Sequence, residues 1–405
     1  MAGWLLVAAL VQGGSGGVNG PGHGAAPYVL LISLDGFRHD YLGRGLTPNL
    51  EALGERGVRA DALVPVFPTK TYTNHYSIAT GLYPERHGIV GNEFYDPSWR
   101  ATFRMSDRAT VEDGRWYGGE PIWVTAERQG MVTAAMFFIG TEAPVQGIQP
   151  TYWNRYDHTI PIETRLNSVL GWLALPLERR PHLITLYFPM TDDAGHRGGP
   201  DSAELNASIA QMDRVLGRLF DEIAALPHGD RVHVVIVSDH GMTPSNRGTI
   251  ILDDHADLNG IVVVAATTLA SLFFEGDTLR RTAVARTFER VPGLRVYTRE
   301  TIPDEWRIKT HPRAGDLLLV ADEGWVLRRR NSRPESGVAT HGWAPSPSMH
   351  GIFLAAGPRV RAGVRVPAFE NVHIYPFLAA LLGLRANTDI DGRLEVLSSA
   401  LRGGG

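Results

Sequence analysis

The stretch VHVVIVSDHGM, residues 232–242, decides the fold. Its first half is Val and Ile around one His, and a run this rich in β-branched residues reads as a buried strand. The run stops at Asp239 and His240, and Gly241 follows where the chain must turn. In open α/β sheets, ligands bind at the carboxyl ends of the strands. A carboxylate beside an imidazole at that edge signals a metal or catalytic site, because both groups are costly to bury without a partner.

A carboxylate after a strand recurs earlier in the chain. YVLLISL (28–34) is a strand ending at Asp35, and HLITLYFP (182–189) is another, ending just before Asp192. TPNLEALGERG (47–57) reads as a helix, with Thr47 at the N-cap, Pro48 in the first turn and Gly57 as the stop. Further helices are predicted over 71–80, about 120–130, and about 201–225. The last has Leu205, Ile209, Met212, Val215, Leu216 and Leu219 at helical spacing. MVTAAMFF (131–138) and SMHGIFLAAGP (348–358) read as strands, and ENVHIYPFLAALLGL (370–384) as a core helix. Strands alternating with helices predict an α/β fold: a mostly parallel central sheet with helices on both faces. Residues 249–330 mix short β-rich runs with one helix near 278–290, which predicts a smaller inserted α+β lobe.

The chain has 405 residues, 43% hydrophobic and 20% charged, enough to bury a sizeable core in a single catalytic domain spanning 28–400. Net charge is −4 with the Lys and Arg scattered, which argues against duplex nucleic acid as a partner. There is no Cys, so disulfides, thiolate metal sites and a Cys nucleophile are excluded, and any metal must be held by His and Asp. WLLVAALV (4–11) precedes a Gly-rich tail, and residues 1–27 read as a signal peptide or flexible leader, implying a periplasmic or secreted protein. That stretch is too short to span a bilayer, and no other segment is long and apolar enough to be a transmembrane anchor.

Three Asp and three His lie at or near strand ends: Asp35, Asp192, His196, Asp239, His240 and His341. Two zinc sites need about that many protein ligands when water, nucleophile or substrate fills the remaining positions. His350 is a rival to His341, but it lies inside an apolar strand where it would face the core. His75, His87 and His373 sit in or near predicted helices and read as structural groups. Thr71, at the start of the helix in PTKTYTNHYS, faces free backbone N–H groups and the positive end of the helix dipole, which favour an alkoxide and a bound phosphate. A Thr at a helix start is ordinarily a cap, and an Asp after a strand is ordinarily a turn residue. A non-catalytic metal-binding domain and a structural metalloprotein are therefore the competing readings.

On these residues the sequence resembles the nucleotide pyrophosphatase/phosphodiesterase family of the alkaline phosphatase superfamily. The matching segments include LISLDGFRHDYL, FPTKTYTNHYSIATGLYPERHGIVGNEFYDP, YFPMTDDAGHRGGP, VIVSDHGM and MHGIFLAAGP, in the family's order over about 28–384. The resemblance implies an alkaline-phosphatase-like three-layer sandwich and two zinc ions, one on Asp35, Asp239 and His240, the other on Asp192, His196 and His341. Thr71 would be the nucleophile and bridge the metals. Asn92 would donate a hydrogen bond to a phosphate oxygen. Lys70 would add positive potential beside the nucleophile. Tyr72, Tyr156 and Tyr187 would form a base-stacking slot. The implied activity is hydrolysis of a small nucleotide or other phosphodiester through a phosphothreonine intermediate, releasing nucleoside 5′-monophosphates. Hydrolysis of choline phosphodiesters, phospholipids or phosphomonoesters is the alternative within the superfamily. One departure bears on substrate: members often carry HGYDN at the last histidine, whereas this chain has HGWAP with one residue fewer before SM.

Overall fold

YVLLISL forms strand β1 (Tyr28–Leu34), and every residue of it is buried. Val29 and Leu31 enter one hydrophobic core, while Tyr28, Leu30, Ile32 and Leu34 enter the other. That alternation is what a strand covered on both faces requires. The structure is a computed structural model describing residues 17–332 and 337–403. The apolar stretch 4–11 lies outside the described residues.

In chain order the elements are helix α1 (Pro48–Arg56), β2 (Val58–Ala60), α2 (Thr71–Thr80), β3 (Thr133–Met136) and β4 (Tyr152–Asn154). They continue as α3 (Ile162–Leu173), β5 (Leu183–Phe188), α4 (Met190–Gly198), α5 (Ala203–Ala224) and β6 (Val232–Val237). The smaller lobe contributes β7 (Val262–Ala266), β8 (Leu269–Phe273), α6 (Thr278–Phe288), β9 (Leu294–Thr298) and β10 (Leu317–Ala321). The chain then returns as β11 (Phe353–Ala356), β12 (Val364–Val366) and α7 (Ile374–Leu382). The eight-stranded central sheet has the order β12-β2-β11-β6-β1-β5-β3-β4. Only β11 runs against its neighbours; the other pairs are parallel. Helices α2 and α7 pack on one face and α1, α3 and α5 on the other, so the core is three-layered as predicted.

Local capping differs from the sequence reading at α1. Thr47 occupies the N-cap, but its hydroxyl turns to Glu51 (3.1 Å). The first N–H groups of α1 are taken by Asp213 of α5, which accepts from Asn49 N (3.2 Å) and Leu50 N (2.9 Å). A carboxylate from a neighbouring helix thus replaces the local cap and adds a favourable charge at the helix N-terminus.

The lobe sheet is antiparallel, in the order β7-β8-β10-β9, over a core of its own that includes Leu272, Phe288, Leu317, Leu319 and Trp343. Arg313 fastens the lobe to the main body. Its Nε donates to Asp96 (2.8 Å), its Nη1 donates to the carbonyls of Gly88 (2.7 Å) and Trp116 (3.0 Å), and its guanidinium lies over Phe94, Trp99 and Trp116. At the other end of the sheet, Asn19 ties its segment to the body by donating to Arg180 O and accepting from Val132 N, both at 2.8 Å.

Candidate metal centre and active site

Strand order builds the site. β5, β1 and β6 are adjacent and parallel, so the residues that follow them emerge together at one edge of the sheet. β1 delivers Asp35. β6 delivers Asp239 and His240. β5 runs into α4, where Asp192 and His196 are one turn apart on one face. His341 arrives from the segment that re-enters the body after the lobe, following the short pairing of Ala339–Thr340 with Thr243–Pro244. All six expected ligands are brought together with Thr71. His350 stands apart, its ring 5.9 Å from that of His39.

Three histidines are set for the same task. His240 Nδ1 donates to Gly241 O (2.9 Å), His341 Nδ1 to Thr69 O (2.8 Å), and His196 Nδ1 to Ala339 O (2.8 Å). A carbonyl can only accept, so each Nδ1 carries a proton, and in the neutral ring each Nε2 presents its lone pair to the centre. His196 Nε2 lies 3.3 Å from Asp192 Oδ2, and His341 Nε2 lies 3.9 Å from Asp192 Oδ1. His240 Nε2 lies 3.0 Å from Asp239 Oδ2, 3.4 Å from Asp35 Oδ1 and 3.3 Å from Thr71 Oγ1. The His240 and His341 rings stack with centroids 3.5 Å apart.

Two metal-competent clusters result: Asp192, His196 and His341, and Asp35, Asp192 and His240. Asp192 reaches into both, while Asp239 approaches the second through His240. The donor set fits a cation. Asp35 Oδ1, Asp192 Oδ1 and Asp239 Oδ2 are buried without hydrogen-bond donors, an arrangement that costs several kcal/mol per charge unless a cation compensates it. Burial pushes the Asp35 carboxyl well above the ordinary carboxylate range, and the charges of Asp239 and Asp192 push the same way. Burial also raises Asp239, but the His240 and His75 rings outweigh it and hold it below its usual value. Burial and the neighbouring His240 hold His341 well below the usual imidazole value, the neutral state a metal ligand needs.

Thr71 opens α2. The helix has no cap from its own N-cap residue, Lys70; instead Asn92 Oδ1 accepts from Tyr72 N (2.9 Å). That bond commits the amide oxygen of Asn92 to the helix and leaves its NH₂ group as the edge a phosphate can meet. Lys70 is buried and donates to His341 O (2.9 Å), bracing the last histidine.

A cavity of about 240 Å³ opens beside Asp35, Thr71 and Asp192. Tyr72, Tyr156, Tyr187 and Phe137 give it aromatic walls, and Glu142 and His158 also line it. Tyr187 does more than wall the slot: its hydroxyl donates to Asp35 Oδ2 at 2.5 Å. His75 is a buried, hydrogen-bonded group, as the sequence reading expected. It is fully buried, its Nδ1 donates to Thr71 O (2.9 Å) and lies 3.4 Å from Asp239 Oδ2, and its Nε2 meets Ser33 Oγ (2.7 Å). His87 and His373 are structural, bonded to Ser77 and to the Arg393 backbone.

The HGWAP departure has a packing consequence. Trp343 is buried in the lobe core and donates to Trp325 O (3.0 Å). Gly342 sits at φ +113°, where any side chain would collide with Lys70.

With this geometry in place, the profile of the family described as type I phosphodiesterase / nucleotide pyrophosphatase matches residues 29–344. The chain belongs to this family. A pyrophosphatase/phosphodiesterase of Schizosaccharomyces pombe is 36% identical over 374 residues, covering 88% of this chain and 77% of that protein. The Xenopus laevis bis(5′-adenosyl)-triphosphatase is 34% identical, covering 90% and 79%. Murine ectonucleotide pyrophosphatase/phosphodiesterase 5 superposes with a TM-score of 0.87 at 31% identity, covering 93% of this chain and all of that one; the same relative has been solved as an inactive variant in complex with AMP. This phosphodiesterase-family enzyme therefore shares its fold with structures that cover its core from end to end. Among the described residues, no helix is long and apolar enough to cross a membrane.

Proposed function

We propose that the enzyme hydrolyses nucleotide pyrophosphate or phosphodiester bonds through a phosphothreonine intermediate on Thr71, releasing nucleoside 5′-monophosphates. The observation that carries this reading is the convergence of three Nδ1-pinned histidines and three unpartnered carboxylate oxygens on Thr71, beside an aromatic cavity. Asp192, His196 and His341 would hold one zinc ion, and Asp35, Asp239 and His240 the other, with Asp192 close to both. Two such ions supply positive charge that lowers the pKa of a nearby hydroxyl and offsets phosphate charge. Thr71 Oγ gives up its proton and attacks phosphorus, a P–O bond forms to Thr71, and the bond to the leaving oxygen breaks in line, that oxygen departing as an anion or taking up a proton. Water then cleaves the Thr71–phosphate bond and restores the hydroxyl. The Asn92 NH₂ group donates to a phosphate oxygen, as an oxyanion-hole amide does. Tyr72 and Tyr156 stack on the base.

Residues 28–400 act as one catalytic domain, and the apolar stretch 4–11 directs the chain to a periplasm or the cell exterior. Small-molecule diesters are the substrates. The Glu142 charge is answered by Arg108, which favours a neutral base over a choline cation in the slot.

The test is turnover of zinc-loaded enzyme on a nucleotide diester, a choline phosphodiester and a phosphomonoester, alongside Thr71→Ala. The nucleotide diester should dominate. Thr71→Ala should lose at least about a thousandfold in kcat while keeping zinc and AMP binding, on the scale of removing a catalytic nucleophile. Dominant monoester activity, or undiminished turnover by the metal-loaded variant, would overturn the reading.

A further inference from the structure

Tyr156 lies in the loop between β4 and α3, where no regular element fixes it. It is held instead by side chains from two directions. Arg108 donates through Nη1 to Glu142 Oε2 (2.5 Å) and through Nη2 to the Tyr156 carbonyl (3.0 Å). The Tyr156 hydroxyl meets His158 Nδ1 at 3.1 Å, and His158 Nε2 lies 3.4 Å from Asp193. Phe137 packs edge-on against the ring, with centroids 5.3 Å apart. Glu142 is itself buried at the cavity wall, and its carbonyl accepts from Gln149 (2.8 Å). One guanidinium thus joins three separate segments: the turn at 108, the loop at 142 and the wall at 156. A Lys cannot do this, because it lacks the rigid fork that serves two acceptors at once.

We propose that Arg108 is a positioning residue that sets the width of the aromatic slot, through Glu142 and the Tyr156 backbone, and so sets the preference for diesters carrying a planar nucleobase. The proposal rests on the nucleotide reading above. Arg108 touches neither the metal ligands nor Thr71. Its removal changes where Tyr156 stands and leaves the reacting atoms in place.

Two p-nitrophenyl esters sharing one leaving group isolate the slot: thymidine 5′-monophosphate p-nitrophenyl ester, and methyl p-nitrophenyl phosphate, which has nothing to stack. Arg108→Ala should raise KM for the thymidine ester about tenfold, on the scale of one lost charged hydrogen bond, with kcat within about twofold of wild type. Its kcat/KM on the methyl ester should equal that of wild type. Arg108→Lys should recover less than half of the loss. The Arg108 side chain is 41% exposed, so the variant should fold although it leaves Glu142 without its cation, and a cooperative circular dichroism melt well above the assay temperature checks this. Equal losses on both esters, or an unchanged KM for the thymidine ester, overturn the proposal. Wild-type enzyme that hydrolyses neither ester overturns the functional reading itself, and the proposal with it.

Discussion

Tyr187→Phe separates two roles for one residue. As a slot wall, Tyr187 needs only its ring, which Phe keeps. As a partner of Asp35, it needs its hydroxyl, which Phe removes. Both groups are buried, with Asp35 1% and Tyr187 7% exposed, and their contact is 2.5 Å, short for O–H···O⁻. A hydrogen bond to a charged group contributes about 1.5–3 kcal/mol. Converted at about 1.4 kcal/mol per tenfold, that is roughly 10–100-fold in metal affinity, the range found when groups supporting a metal ligand are lost. Nothing else donates to Asp35 Oδ2 among the described residues, so the variant leaves that carboxylate without an orienting partner. The assay is zinc affinity by chelator competition, paired with turnover of methyl p-nitrophenyl phosphate. Zinc should bind roughly 10–100-fold more weakly, the methyl ester should recover at high zinc, and the thymidine-to-methyl preference should hold. Unchanged zinc affinity with a raised KM for the thymidine ester alone would refute the reasoning and make Tyr187 a wall only.

Arg313→Ala should destabilise the protein by about 3–5 kcal/mol in urea unfolding, because it strands the buried Asp96 carboxylate and two carbonyls; a loss under about 1 kcal/mol would mean the lobe is held by its other contacts. Burial pushes the Asp96 carboxyl up, but Arg313 and the Ser98 and Trp99 N–H groups outweigh it and hold the carboxyl below its usual value. A depressed folded value means the stabilisation is present above the unfolded value near pH 4 and fades as pH falls through the folded one. The stability gap between wild type and Asp96→Asn should therefore be full at about pH 6 and shrink below about pH 4, and a gap that widens in acid would contradict this. Chelation should lower the melting temperature, since it uncovers the close carboxylates of Asp35, Asp192 and Asp239, and zinc should restore it in proportion to the logarithm of its concentration. Melting that ignores both chelator and zinc would count against the two-ion centre.

The candidate ligands were legible because parallel-sheet topology converts strand ends into neighbours: Asp35, Asp192 and Asp239 needed only three buried strands to be placed together. Thr71 was legible from its helix start. The supporting contacts were not. The Tyr187–Asp35 bond, the Arg108 fork and the Asp213 cap each join residues more than thirty positions apart whose spacing follows no period. Nor does an apolar run show its direction, so SMHGIFLAAGP declared a strand without declaring that β11 runs against the rest. His75 is satisfied locally, as a histidine in a helix ordinarily is, and its approach to Asp239 was not legible in the sequence.

The residues beside Thr71 and the last histidine are laced together. Thr69 O accepts from His341, Thr69 Oγ1 accepts from Gly342 N and donates to Trp343 O, and Lys70 reaches His341 O. These partners are about 270 positions apart, with the whole lobe synthesised between them. During translation the chain emerges from its N-terminus, and domains fold as units once complete. Helix α2 is therefore exposed long before the segment that braces it exists. A ribosome stalled between residues 71 and 341 carries a chain with Thr71 made and one cluster short of a histidine. The loop that leads into Thr71 is thus completed by a segment made about 270 positions later.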